Sequence, residues 1–150
     1  MSTDDSTPTA GRHPATAAEL AVFLTALADH LLTHPALPPV NITMRGPTHP
    51  PELHVLDQPR QRDTAPAGLA DWATSLRVVQ LHVRSVDGWH AVAVTARIGH
   101  GGTAELWTKV TGLQPGVHTL AVAELIALTL GRRQHIAAAS GQPDLWRRRL

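Results

Sequence analysis

The chain has 150 residues, 43% of them hydrophobic, a formal net charge of +1 and no cysteine. That length fits a single domain able to bury a core without disulfides or metal, and the missing cysteine excludes disulfide frameworks, thiol catalysis and cysteine-based zinc sites. The charge is unevenly spread: residues 131–150 carry five arginines against one aspartate, which leaves −3 for the rest.

Residues 1–15 are rich in Ser, Thr, Asp, Pro and Gly and read as a disordered leader. They lack the basic start and apolar run of a secretory signal, so cytoplasmic residence is the default expectation. Residues 16–140 form the expected single domain, and 141–150 a basic C-terminal tail. With four Trp, one Phe and no Tyr, the core has to be aliphatic. Thr16 and Glu19 have capping-box spacing at the head of a helix that runs to about His34 and stops at Pro35. Leu20, Phe23, Leu24, Leu27 and Leu31 recur at helical spacing as one apolar stripe, with Asp29 opposite.

Beyond the Pro35–Pro39 break, Val40, Ile42 and Met44 alternate with Asn41, Thr43 and Arg45, the pattern of a half-buried strand. A short strand over 53–57 pairs back on it, and the nearby prolines mark this strand as a candidate sheet edge. A short helix follows at about 66–77, with Pro66 in its first turn and Leu69, Trp72, Ala73 and Leu76 on one face.

Residues 78–110 predict a three-stranded antiparallel meander. Val79, Leu81 and Val83 form the apolar set of its first strand, and His90, Val92, Val94, Ala96 and Ile98 that of the second. Asp87-Gly88 between them is a type I′ turn signal. That turn sets Val86 opposite Trp89 and Val83 opposite Val92, and the buried sets coincide. For the third strand, a two-residue turn at His100-Gly101 would mix the faces. A five-residue connection over 99–103 instead puts Ala96 opposite Leu106 and Arg97 opposite Glu105, with Trp107 outward beside Thr95. From Val117 a largely buried helix is expected, apolar nearly all round, although 117–123 also suit a strand. The apolar run 117–130 is too short and too polar for a bilayer that needs ~20 residues, so no membrane insertion is expected. The fold class is therefore α+β: a small, mostly antiparallel sheet containing the meander, packed against about three helices.

No motif nominates a catalytic residue, a cofactor or a metal. His30 and His34 are four apart, a spacing by which two imidazoles share a metal, yet histidine is equally expected at a helix C-terminus. The 99–102 segment Gly-His-Gly-Gly lacks the lysine, hydroxyl and following helix of a phosphate loop and reads as a turn. The remaining histidines are scattered, and no serine or acid pair has a motif. Two surfaces stand out instead. Trp89, Arg97, Glu105 and Trp107 mark the outer face of the meander as an interaction surface, for a protein partner or self-association. Arg132, Arg133, Trp146, Arg147, Arg148 and Arg149 form the alternative, a segment for contacting nucleic-acid phosphates and bases. An unrecognised enzyme built from distant histidines and acids is the third reading.

The capped Ala/Leu-rich helix ending in His34-Pro35, the Leu-Ala-Asp-Trp-Ala helix at 69–73 and the Trp-containing meander together resemble small uncharacterised α+β proteins of actinobacterial plasmids, integrated elements and phages. The resemblance spans about residues 16–112. The preference for arginine over lysine, 12 to one, with abundant Ala and Pro, matches the coding bias of a GC-rich genome. The resemblance implies a non-enzymatic accessory protein of such a mobile element, in transfer, spread or a phage-related role, and carries over no functional residue.

Overall fold

The computed structural model describes Pro14 and residues 16–140, with side chains as far as Gly131; the rest of the leader and the basic tail fall outside this range. Helix α1 (Ala17–Thr33) begins where the Thr16 side-chain oxygen accepts the Glu19 amide at 3.2 Å, satisfying one donor that the helix leaves free. Of its stripe, Phe23 and Leu27 are buried, Leu20 and Leu31 half-buried and Leu24 exposed. The buried band is therefore narrower than the apolar one.

Strands β1 (Val40–Thr43) and β2 (Glu52–Val55) form an antiparallel hairpin, with Ile42 opposite Leu53. One expectation is corrected here. Strand β2 is not an edge, because it pairs in parallel with the later strand β5 (Thr103–Val110), Leu53 beside Leu106. The edge falls to β1, whose Ile42 lies on the core side of the sheet but is 44% exposed, since no further strand flanks it. Helix α2 (Ala65–Ser75) has Pro66 in its first turn, and its leading amides at Thr64 and Ala65 donate to Asp57 Oδ1 at 2.9 and 2.8 Å. A carboxylate at the positive end of a helix is favourable on both hydrogen-bonding and dipole grounds.

The meander consists of β3 (Gln80–Val86), β4 (Trp89–Arg97) and β5. Asp87 and Gly88 both have positive φ, 28° and 85°, as a type I′ turn demands, and Val86 faces Trp89 and Val83 faces Val92 as the turn predicts. The second hairpin differs from expectation by two residues. Ile98 N–H donates to Gly102 O and Gly101 N–H to Ile98 O, both at 2.9 Å, so the ladder continues past the strands and closes on 99–101. Gly99 and Gly102 supply the positive φ that this tight closure needs. Ala96 thus faces Ala104, Arg97 faces Thr103, and Glu105 faces Thr95 rather than Arg97. A shift of two preserves the faces, because side chains alternate with period two.

Residues 117–123 divide between the two alternatives. Strand β6 (Thr119–Ala121) pairs with β3, and helix α3 (Val122–Ser140) starts directly after it. The described sheet has six strands in the order β1-β2-β5-β4-β3-β6, antiparallel except at β2–β5. One core lies on one side of it, where Phe23 and Leu27 of α1, Leu69 and Trp72 of α2, and Leu125 of α3 meet Leu53, Val55, Leu81, Val92 and Leu106. Thr108, buried among them, donates its hydroxyl to Val55 O at 3.1 Å. The expectation that α3 is largely buried is also corrected. Val122, Leu125 and Thr129 are buried, whereas Ile126 and Leu130 are 40% and 52% exposed, because among the described elements α3 packs chiefly against α2 and β6 along one side. Among the described residues no helix is long and apolar enough to cross a membrane.

Candidate binding face

The described helices are gathered on one side, and none of them covers the opposite face of the sheet. Alternation delivers to it Gln80, His82 and Arg84 from β3; Trp89, Ala91, Ala93, Thr95 and Arg97 from β4; and Thr103, Glu105, Trp107 and Lys109 from β5. Strand β2 adds Glu52 and His54. The parallel pairing of β2 with β5 sets His54 directly beside Trp107, and the two rings stack with centroids 4.0 Å apart and planes 4° from parallel. On the far side of Trp107 stands Trp89, 6.4 Å away and inclined by 27°. The Lys109 ammonium lies 5.5 Å from the centre of the Trp89 ring, within cation–π range. The face therefore carries a row of three half-buried rings with a cation at its end.

The floor of this face is made by Ala91 and Ala93, 4% and 5% exposed although no described helix covers them. Their longer cross-strand neighbours, Arg84, Lys109 and Trp107, shield them. Because these positions bear only methyl groups, Arg84 on β3 can reach across the whole width of β4 to Glu105 on β5, at 2.6 Å. A second pair, Arg45 with Glu52 at 3.2 Å, sits at the β1–β2 end.

Of the sequence-predicted surface, Trp89, Trp107 and Glu105 do share one neighbourhood, and Arg97 lies on the same face. The predicted Arg97–Glu105 pair does not form; the two-residue register shift gives Glu105 to Arg84 instead. The residue that local reasoning missed is His54. Its signal was present, since a histidine between apolar Leu53 and Val55 must face away from the core, but the parallel neighbour that gives it a role is some 50 positions away in the chain. Of the alternative segment, Arg132 and Arg133 lie in α3 with side chains outside the described range, and Trp146, Arg147, Arg148 and Arg149 lie beyond it.

No family model, curated protein or solved structure matches this chain.

The His30–His34 pair is a joint between helices. Ser75 Oγ donates its one hydrogen to the Trp72 carbonyl at 2.7 Å, so His30 Nε2, 2.9 Å from that Oγ, is the donor in their bond. His34 Nδ1 faces the His30 carbonyl at 3.0 Å and must also carry a hydrogen. The His30 ring stacks on the buried Trp72 at 5.7 Å and meets the His34 ring at 4.4 Å, tilted by 30°. Trp72 in turn donates Nε1–H to Pro38 O at 3.1 Å. A histidine that donates to a serine is not the base that would activate it, so this contact is a poor nucleophile dyad and a good tie between α1 and α2. Burial, with the His34 imidazole as the lesser cause, lowers the His30 pKa below its usual value; burial alone does the same for His54. Among the described residues no three His, Asp or Glu side chains are grouped to hold a metal ion.

Proposed function

We propose that this chain is a non-enzymatic accessory protein that binds a macromolecular partner through the uncovered face of its sheet. The observation that carries the reading is the row His54, Trp107 and Trp89, three aromatic rings on a face from which every described helix is absent. Trp and Arg are the residues that most often anchor interfaces, and the Arg84–Glu105 bridge beside the row stiffens the surface presenting it. The face spans the four neighbouring strands β2, β5, β4 and β3, which suits an extended partner better than an enclosed small substrate. The setting we propose is that of a mobile-element accessory, as the resemblance of the chain to actinobacterial plasmid and phage proteins implies, with a protein partner or a second copy as its first expectation.

The test is site-specific photo-crosslinking of the full chain in cells. A crosslinking residue at Thr95, exposed on the open face, is expected to yield adducts that vanish when Trp107→Ala is added. The same residue at Thr33, exposed on α1, should yield none that depend on Trp107. Absence of adducts at Thr95, or adducts indifferent to Trp107→Ala, would overturn the proposal.

A further inference from the structure

We infer that the chain pairs with a second copy of itself through the outer edge of β1, antiparallel and centred on Ile42, an interface separate from the ring-bearing face. The backbone decides what that edge presents. Leu56 N–H donates to Pro39 O at 3.2 Å, so Pro39 and Leu56 form a hydrogen-bonded pair in line with the β1–β2 register. By alternation, Asn41 with His54 and Thr43 with Glu52 are the next two such pairs. Val40 and Ile42 fall between them and turn their N–H and C=O away from β2, with Met44 next in the same alternation. The β5 side agrees: Glu105 N–H donates to Pro51 O at 2.9 Å, which directs the backbone groups of Leu53, the residue opposite Ile42, to β5 rather than to β1. Among the described residues no strand lies beyond β1.

Three observations select a second copy as the occupant. The first is that the edge is unguarded. Sheet edges are commonly blunted by lysine, proline or a bulge, yet residues 40–44 read Val-Asn-Ile-Thr-Met and β1 pairs with β2 without a bulge. The second is that this pattern is symmetric about Ile42. Antiparallel pairing about that residue sets Ile42 against Ile42 of the copy, Val40 against Met44, and Asn41 against Thr43. Every outward N–H and C=O of Val40, Ile42 and Met44 then finds a partner, and apolar meets apolar on the core side, where Ile42 and Met44 are 44% and 40% exposed. The third is charge: Arg45 is tied to Glu52 at 3.2 Å and comes opposite Pro39, so no like charges are opposed. The other described edge, β6, offers three residues before the chain enters α3, a shorter match than β1 finds in its own copy. Pairing of like edges closes at two copies.

Two residues directly opposite in an antiparallel pair point to the same side of the sheet. The two six-stranded sheets therefore join with their described helices on one side and both ring-bearing faces on the other. From β5 of one copy to β5 of the other is five strand spacings, which sets the two Trp107 residues roughly 25 Å apart. Dimerisation in this way doubles the ring row on one continuous surface without using any of its residues.

The experiment is analytical ultracentrifugation of the full chain. Five residues a side make a small interface and hence a weak dimer, so the concentration series runs from about 5 to 500 µM. The average mass is expected to rise across it towards twice the 16.1 kDa of the chain. Ile42→Lys, which opposes two cations at the centre, should stay monomeric throughout. Ile42→Pro should do the same, because it removes a donor that the single chain does not use and an edge strand tolerates proline there; circular dichroism melts verify that both variants fold. A positive readout needs no disruption: the chain has no cysteine, so Ile42→Cys introduces a single thiol. Two such residues would have Cα atoms about 5.5 Å apart, and a short thiol-bridging reagent should link them. Val40→Cys residues would lie more than about 13 Å apart along the strands and should not be linked. Trp107→Ala should dimerise like wild type. A monomer at every concentration overturns the inference, whether the edge is covered by the chain's own leader or by a foreign strand. So does a dimer indifferent to Ile42→Lys and Ile42→Pro, or linkage as fast at residue 40 as at 42. A dimer lost in Trp107→Ala alone would move self-association to the ring-bearing face, and the binding reading would stand without the β1 interface.

Discussion

Helix α1 rests on the β4–β5 turn through a glycine, and replacing Gly101 with alanine tests that docking directly. A methyl group built there would lie 2.8 Å from Phe23 Cα and 2.8 Å from Ala26 Cβ, with Ile98 O at 3.3 Å. The first two atoms belong to or adjoin the helix backbone and cannot rotate away, so α1 must retreat by several tenths of an ångström, loosening Phe23 from a core in which it is fully buried. Gly101 lacks the positive φ of its neighbours Gly99 and Gly102, so alanine meets no backbone penalty and the effect is steric. Overpacking of this kind costs about 1–3 kcal/mol, and at roughly 2–4 °C per kcal/mol for a domain of this size the melting temperature should fall by about 2–12 °C. Gly131→Ala is the matched control. It sits within α3 with nothing inside 4 Å of the added methyl, and relief of the helix penalty of glycine should stabilise by up to about 1 kcal/mol. Urea and thermal unfolding followed by circular dichroism read both. A Gly101→Ala protein as stable as wild type would show that α1 does not pack on this turn, and with it that the layer arrangement leaving the other sheet face open is wrong.

Two further outcomes follow from the electrostatics. Burial lowers the pKa of His30 and His54 below 6.5, so the unfolded chain takes up more protons than the folded one as pH falls. Stability is then complete above about pH 6.5 and declines below it; urea midpoints from pH 8 to pH 5 should show this decline, and it should shrink in His30→Asn, whereas a rise in stability on acidification would contradict the assigned burial. In the cross-strand pairs, Arg84→Gln should cost about 0.2–1 kcal/mol and Arg97→Gln close to nothing, because Glu105 belongs to Arg84 and both sites are largely solvated. The reverse order in chemical denaturation would restore the Arg97–Glu105 register.

Local chemistry made much of the fold legible in the sequence. The Thr16 cap, the Pro66 start and the Asp87-Gly88 turn each act within four residues, and the structure places all three where their side chains and φ preferences demand. The face on which Trp107 stands was readable too, because it follows from period-two alternation and survives the two-residue error in register. What alternation does not contain is the partner across the sheet. The turn at 98–102 closes more tightly than residue counting suggests because two glycines admit positive φ, and that closure moved Glu105 from Arg97 to Arg84. The parallel seating of β2 beside β5 is a long-range choice, made by Leu53 and Leu106 meeting in one core, and it alone brings His54 onto Trp107. Likewise, the composition of α3 predicts burial, but how much of a helix is buried depends on how many neighbours reach it. The sequence by itself determined the elements, their caps and their inward faces, since these depend on neighbouring residues and on the periods of helix and strand. Only the tertiary structure decided that one face would be left without any of the described helices and that three rings from distant strands would stand on it together, because that depends on which strands pair and on which side the helices pack.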